Sequence, residues 1–121
     1  MKLTCWAWIL LLIVFFANGC AVVERPPTQA ETAQAIARGD VNNFLKEMEA
    51  KATDAERSRN WALAAGIYTV ASRAALSAGQ LQKSLSYGGK AVEFADRVGD
   101  PDLQVPALWF LAMANRSLRQ Y

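Results

Sequence analysis

Residues 39–79, GDVNNFLKEMEAKATDAERSRNWALAAGIYTVASRAALSAG, and residues 79–119, GQLQKSLSYGGKAVEFADRVGDPDLQVPALWFLAMANRSLR, lie over one another at an offset of forty. Gly39, Gly79 and Arg119 mark the interval, and Asn60 and Asp100 share a second one. Self-similarity at such a spacing points to stacked supersecondary units. Within each copy the apolar residues follow helical periodicity. Val41, Leu45, Met48, Ala52 and Ala55 form one stripe, answered forty residues later by Leu81, Leu85, Gly88, Val92 and Ala95. Trp61, Ala65, Tyr68, Ala71 and Ala78 form a second, answered by Pro101, Val105, Leu108, Leu111 and Leu118. Two kinds of helix therefore alternate.

The flanking residues agree with helix chemistry. Thr28 followed by Glu31 makes a capping box, Asn60 and Asp100 are N-caps, Pro101 suits a first turn, and Gly39 and Gly79 suit left-handed stops. Arg57 and Arg97 fall at C-terminal ends, where the helix dipole favours cations. The predicted helices run over about 28–38, 41–57, 61–78, 80–97 and 102–119, and no segment alternates as a strand does. The expected fold is all-α, an array of about five helices in antiparallel hairpins.

Residues 105–121, Val105 to Tyr121, resemble the first helix and turn of a tetratricopeptide repeat. Leu111-Ala112 stands at the leucine and small-residue pair, Ala114 at the next small position and Tyr121 at the aromatic that opens the second helix. The segment Ala91 to Pro101 resembles the second helix and loop of such a repeat, in a forty-residue variety. The resemblance spans Thr28 to Tyr121 and is most specific in its last third. Elsewhere Gly88 replaces a large apolar residue and Lys51 a small one. A plain helical bundle remains the alternative architecture.

Ahead of the repeat lies a different kind of sequence. One charge at Lys2 precedes an uncharged run from Leu3 to Ala17, the layout of a secretory signal peptide. A membrane-spanning helix needs roughly 20 apolar residues, and Asn18-Gly19 interrupts this run before that length. The stretch Phe16-Ala17-Asn18-Gly19-Cys20 resembles the bacterial lipobox, although Ala17 stands where leucine is usual and Asn18 where a smaller residue is. The resemblance implies cleavage before Cys20, a covalent lipid on Cys20 and no other cofactor. An uncleaved anchor from Leu3 to Val23 and a cleaved, unlipidated secreted chain are the other readings. Ala21, in the position after the cysteine, favours the outer membrane over the inner one by the same resemblance. The expected organisation is a lipoprotein signal peptide at 1–19, a lipidated end with a proline-bearing spacer at 20–27 and a helical domain at 28–121. With Cys5 removed and Cys20 acylated, no disulfide forms.

The mature chain would carry twelve Lys and Arg, the thirteen of the full chain less Lys2, against eleven Asp and Glu. Such a balance, with basic and acidic residues interleaved, argues against a nucleic-acid partner, which demands a basic stripe. Catalysis has little to draw on, because histidine is absent and the mature part has no free thiol. The expectation is a protein that is not an enzyme and holds no metal. Asp100 and Asp102 read as helix-start residues, Glu47 and Glu49 as a solvated face, and Ser86 to Lys90 lacks the spacing of a phosphate loop.

Arrays of this kind expose the first helix of each unit along a concave groove. Carried over residue by residue, the family's groove positions are Thr69, Arg73, Leu76 and Ser77, then Trp109, Met113, Arg116 and Ser117. The expected partner is a protein or peptide held close to a membrane at the periplasmic face of the cell envelope. Four consecutive bulky residues, Leu108 to Leu111, sweep around most of a helix turn, and one helix contact cannot bury them all. Four readings stay open there: a partner, self-association through the C-terminal helix, a sequence shorter than the natural protein, or burial within a compact bundle. The competing functional reading is a plain-bundle envelope lipoprotein with a structural role and no peptide groove.

Overall fold

A computed structural model describes residues 25–120 of the chain. Cys20 and the segment expected to be its signal peptide lie outside these residues. Five helices follow one another: α1 (Gln29–Ala37), α2 (Val41–Arg57), α3 (Trp61–Ser77), α4 (Leu81–Val98) and α5 (Pro101–Arg119). Each boundary falls within one residue of the position expected from caps and stops. There is no strand among the described residues, and no helix among them is long and apolar enough to cross a membrane.

The first four helices are joined by one repeated corner. The N–H groups of Asp40, Asn60 and Gln80 donate to the carbonyls of Ala35, Ala55 and Ala75 at 3.2, 2.9 and 2.9 Å. Those of Gly39, Arg59 and Gly79 donate to Ile36, Glu56 and Leu76 at 3.1, 3.0 and 3.1 Å. This paired pattern satisfies the last carbonyls of a helix when the following residue turns left-handed. The left-handed residues are Gly39 (φ 71°), Arg59 (φ 56°), Gly79 (φ 75°) and Gly99 (φ 73°). The left-handed residue therefore recurs every twenty residues, twice as often as the hairpin, although the fourth corner closes differently, with Gly99 N–H donating to the Ala95 carbonyl at 2.9 Å. Arg59 takes the left-handed conformation without glycine, at a cost on the order of 1 kcal/mol.

Starts are fixed as the sequence implies. Glu31 N–H donates to Thr28 Oγ1 at 3.2 Å while Thr28 N–H donates to Glu31 Oε2 at 2.6 Å, closing the capping box. Asn60 accepts from Leu63 N–H, and Asp100 from Asp102 N–H with Pro101 behind it. Pro106 lies inside α5 and withholds the donor that the Asp102 carbonyl would otherwise receive.

Helix α3 is the axis of the assembly and packs on all four others. Helices α1 and α5 each touch α3, so α1, α3 and α5 make one layer. The second layer, α2 and α4, is linked through side chains: Tyr87 Oη donates to Glu49 Oε1 at 2.9 Å, and Gln80 Nε2 to Asn42 Oδ1 at 3.0 Å. Alanines dominate the core, among them Ala52, Ala64, Ala65, Ala74, Ala91 and Ala95, and they let the helix backbones approach closely. The bulk comes from Leu45, Met48, Ile67 and an aromatic column between α3 and α4. In that column Trp61 stacks on Phe94 (centroids 5.4 Å), Phe94 on Tyr68 (5.9 Å) and Tyr68 on Tyr87 (6.3 Å). The Arg97 guanidinium lies 4.7 Å from the Trp61 ring, and Lys90 Nζ lies 5.2 Å from that of Tyr68. Burial and the neighbouring Glu56 push the Tyr68 hydroxyl up to about 12. Burial with a hydrogen bond to Glu49 pushes Tyr87 up as well.

Two stripes differ from expectation. On α2 all five expected residues are buried. On α4 the buried row is Ser84, Tyr87, Gly88, Ala91, Phe94 and Ala95, and Leu81, Leu85 and Val92 sit half-buried at its edge. The large rings of Tyr87 and Phe94 set the rotation of the helix, because they bring more apolar area than the aliphatic edge does. On α5, Pro101, Val105 and Leu108 face outward, while Ala107 and Ala114 are buried and Leu103, Phe110, Leu111 and Leu118 half-buried. The period holds on α5, and no described helix covers Pro101, Val105 or Leu108.

Candidate binding groove

The layer of α1, α3 and α5 holds the expected groove residues on two of its helices. On α3 its row is Gly66, Thr69, Arg73, Leu76 and Ser77, and on α5 it is Pro106, Trp109, Met113, Arg116 and Ser117. Trp109 is 62% exposed, Ser77 and Arg116 are exposed, and Thr69, Arg73, Leu76, Met113 and Ser117 are half-buried.

The two rows are not equally open. Arg73 Nη2 donates to Thr32 Oγ1 of α1 at 3.4 Å, so its guanidinium is already engaged. The Thr69 hydroxyl returns to the Ala65 carbonyl at 2.8 Å. Pro26 of the spacer lies against Gly66, so closely that a Cβ there would stand 2.8 Å from Pro26 Cγ. The α3 half of the face is thus partly covered by the chain's own N-terminal arm. The α5 half is open.

The arm also builds a cleft that the sequence did not announce. Between the spacer, α1, α2 and α3 lies a space of about 480 Å³ with Phe44, Met48, Leu63 and Ile67 along its walls. Two ion pairs stand at it, Arg25 with Glu31 at 3.0 Å and Lys51 with Glu47 at 3.1 Å. Its residues come from four segments, so no local pattern marks it. No family model, curated protein or solved structure matches the chain. The residues themselves therefore carry the functional reading.

Chemically the face offers contact surface and hydrogen bonding. Among the described residues there is no cluster of three or more His, Cys, Asp or Glu side chains that could hold a metal. The Asp100 carboxylate is occupied as an N-cap. Ser86 to Lys90 lies within α4, where its N–H groups belong to the helix. Glu49 does more than face solvent, since it accepts the Tyr87 hydroxyl.

The arm is held electrostatically. The hydrogen bond from Arg25, reinforced by the Thr28 N–H, holds the Glu31 carboxyl down to about 2. A depressed carboxyl stabilises the fold above its unfolded value, near 4.5, and the contribution is lost as pH falls through about 2. Both side chains are exposed, which keeps the effect local and modest. The expected result is that α1 frays between pH 4.5 and 2 while α2 to α5 stay helical. Amide hydrogen exchange at Thr28 and Glu31, compared with Tyr68, measures it.

Proposed function

We propose that this chain is a lipid-anchored module of the bacterial cell envelope, built as a tetratricopeptide-like array, that holds a protein or peptide on the face formed by α1, α3 and α5. The observation that carries the reading is the row on α5 where an exposed Trp109 and Arg116 lie with the half-buried Met113 and Ser117. An aromatic next to arginine is the composition that anchors protein contacts. The seating of Pro26 on Gly66 supports the mode of binding, because an extended, proline-bearing segment already fits against this face. On this reading Cys20 carries the lipid, the short spacer keeps the module close to the periplasmic face, and Ala21 directs it to the outer membrane. The module positions a partner and performs no chemistry of its own.

The contacts that close the α3 half, Arg73 to Thr32 and Pro26 to Gly66, favour the second reading, a plain helical accessory lipoprotein without a peptide groove. One experiment separates the two. Full-length chain with Trp109→Glu and Met113→Glu is cross-linked in its own envelope beside the unaltered chain. Lost partners with unchanged helicity support the groove, whereas unchanged partners remove it. A Cys20→Ser chain run alongside is expected to remain unprocessed and unacylated, and normal maturation of that chain would overturn the anchor.

A further inference from the structure

The outward residues of α5 are in register with a helix-receiving surface seen elsewhere in the molecule. Helix α3 receives α4 along Trp61, Ala65, Tyr68 and Ser72. Trp61 and Tyr68 stack on Phe94, Tyr68 also stacks on Tyr87, and Ser72 Oγ donates to the Ser84 carbonyl at 2.9 Å. Ala65, one turn from each, is fully buried. Forty residues on, the same positions of α5 are Pro101, Val105, Leu108 and Ala112, and all four are exposed. Val105 is 66% and Leu108 52% exposed. This stripe lies beside the groove row and repeats the surface on which an antiparallel helix docks.

The charges along its edge say which helix fits. Asp102, Trp109 and Arg116 follow at intervals of seven residues, so they lie on one edge of the stripe. Neither Asp102 nor Arg116 forms an ion pair with another described residue. The edge is thus acidic at the helix start, aromatic at its middle and basic at its end. Two copies related by a twofold axis present the same patch to each other, which works only if the patch is its own complement. An antiparallel pair centred on Trp109 meets that condition, since it sets each Asp102 against the partner's Arg116. Parallel pairing would set aspartate against aspartate and arginine against arginine.

We infer that α5 pairs with the α5 of a second copy of this chain, antiparallel about a twofold axis near Trp109, with Val105, Leu108 and Ala112 buried between them. The inference does not rest on the lipid anchor, and because the pairing takes Trp109 and Arg116 of the proposed groove row, a second copy and a groove partner would compete for α5.

Sedimentation equilibrium of the full-length chain in density-matched detergent tests it. The unaltered chain is expected to dimerise reversibly. Asp102→Arg alone and Arg116→Asp alone each place like charges together twice per dimer and are expected to weaken association on the order of tenfold. The two together restore opposite charges and are expected to return association to within about threefold of the original. Leu108→Asp, at a side chain already exposed in the single copy, is expected to leave helicity intact and the chain monomeric. Association driven by the apolar leader would ignore all four changes. A monomeric unaltered chain, single variants that associate as before, or a double variant that fails to recover each overturns the pairing.

Discussion

Phe94→Ala is expected to lower the unfolding free energy by about 3 to 5 kcal/mol, the usual cost of removing a buried aromatic ring. The ring stands between Trp61 and Tyr68, with the Arg97 guanidinium 5.5 Å away. Removing it opens a void between α3 and α4, and it breaks two stacking contacts and one cation contact together. The alanines around the void are too short to fill it. For a domain whose total stability is about 5 to 15 kcal/mol, such a loss leaves the chain marginal. Urea unfolding followed by far-ultraviolet circular dichroism measures the effect, with the slope expected to be unchanged. Leu108→Ala is the control, expected within about 0.5 kcal/mol when measured on the single copy. A similar loss at both positions would show that the outward stripe of α5 is core.

Two adjacent glycines on α4 are expected to respond in opposite directions. A Cβ at Gly88 would stand 3.2 Å from Ser72 Oγ and 3.3 Å from the Leu111 Cα, at the place where α3, α4 and α5 meet. Neither neighbour yields easily. The Ser72 hydroxyl is fixed on the Ser84 carbonyl while Ser84 Oγ donates back to the Ser72 carbonyl, both at 2.9 Å, and the Leu111 atom is backbone. Gly88→Val adds three carbons there and is expected to cost about 3 kcal/mol by forcing α5 away from α4. Gly89 has nothing within 4 Å of the same position. Gly89→Ala is therefore expected to stabilise by up to about 1 kcal/mol through helix propensity alone. The same urea measurement reads both, and a Gly88→Val chain as stable as the original would mean that the three helices do not meet there.

Most of the fold could be read from local chemistry. Thr28, Asn60, Asp100 and the glycines fixed where helices begin and end, because caps and left-handed stops act within a few residues. The twenty-residue recurrence of the corner was only half visible, since Arg59 stands where glycine would have marked it. Helix rotation was harder to read. Tyr87 and Phe94 turn α4 by what they stack on, and Trp61 and Tyr68 lie on another helix. The stripe on α5 was recognised by its period, yet its direction depended on a neighbour, and only packing reveals a neighbour. For the candidate site, the eight groove positions lie on α3 and α5. What escaped notice was the covering of one half by Pro26 and α1, a contact between segments some forty residues apart.

The repeated corner has a consequence for how this molecule could change. Because the first three junctions are made through the same turn, with the carbonyls of Ala35, Ala55 and Ala75 receiving the N–H five residues on, none of these three is peculiar to its place in the chain. Duplicating or deleting forty residues in frame would recreate the same junctions at the seams. Length in such a design is adjustable, and the layer of α1, α3 and α5 would grow or shrink in whole hairpins, leaving the capping box of α1 and the outward stripe of α5 unaltered.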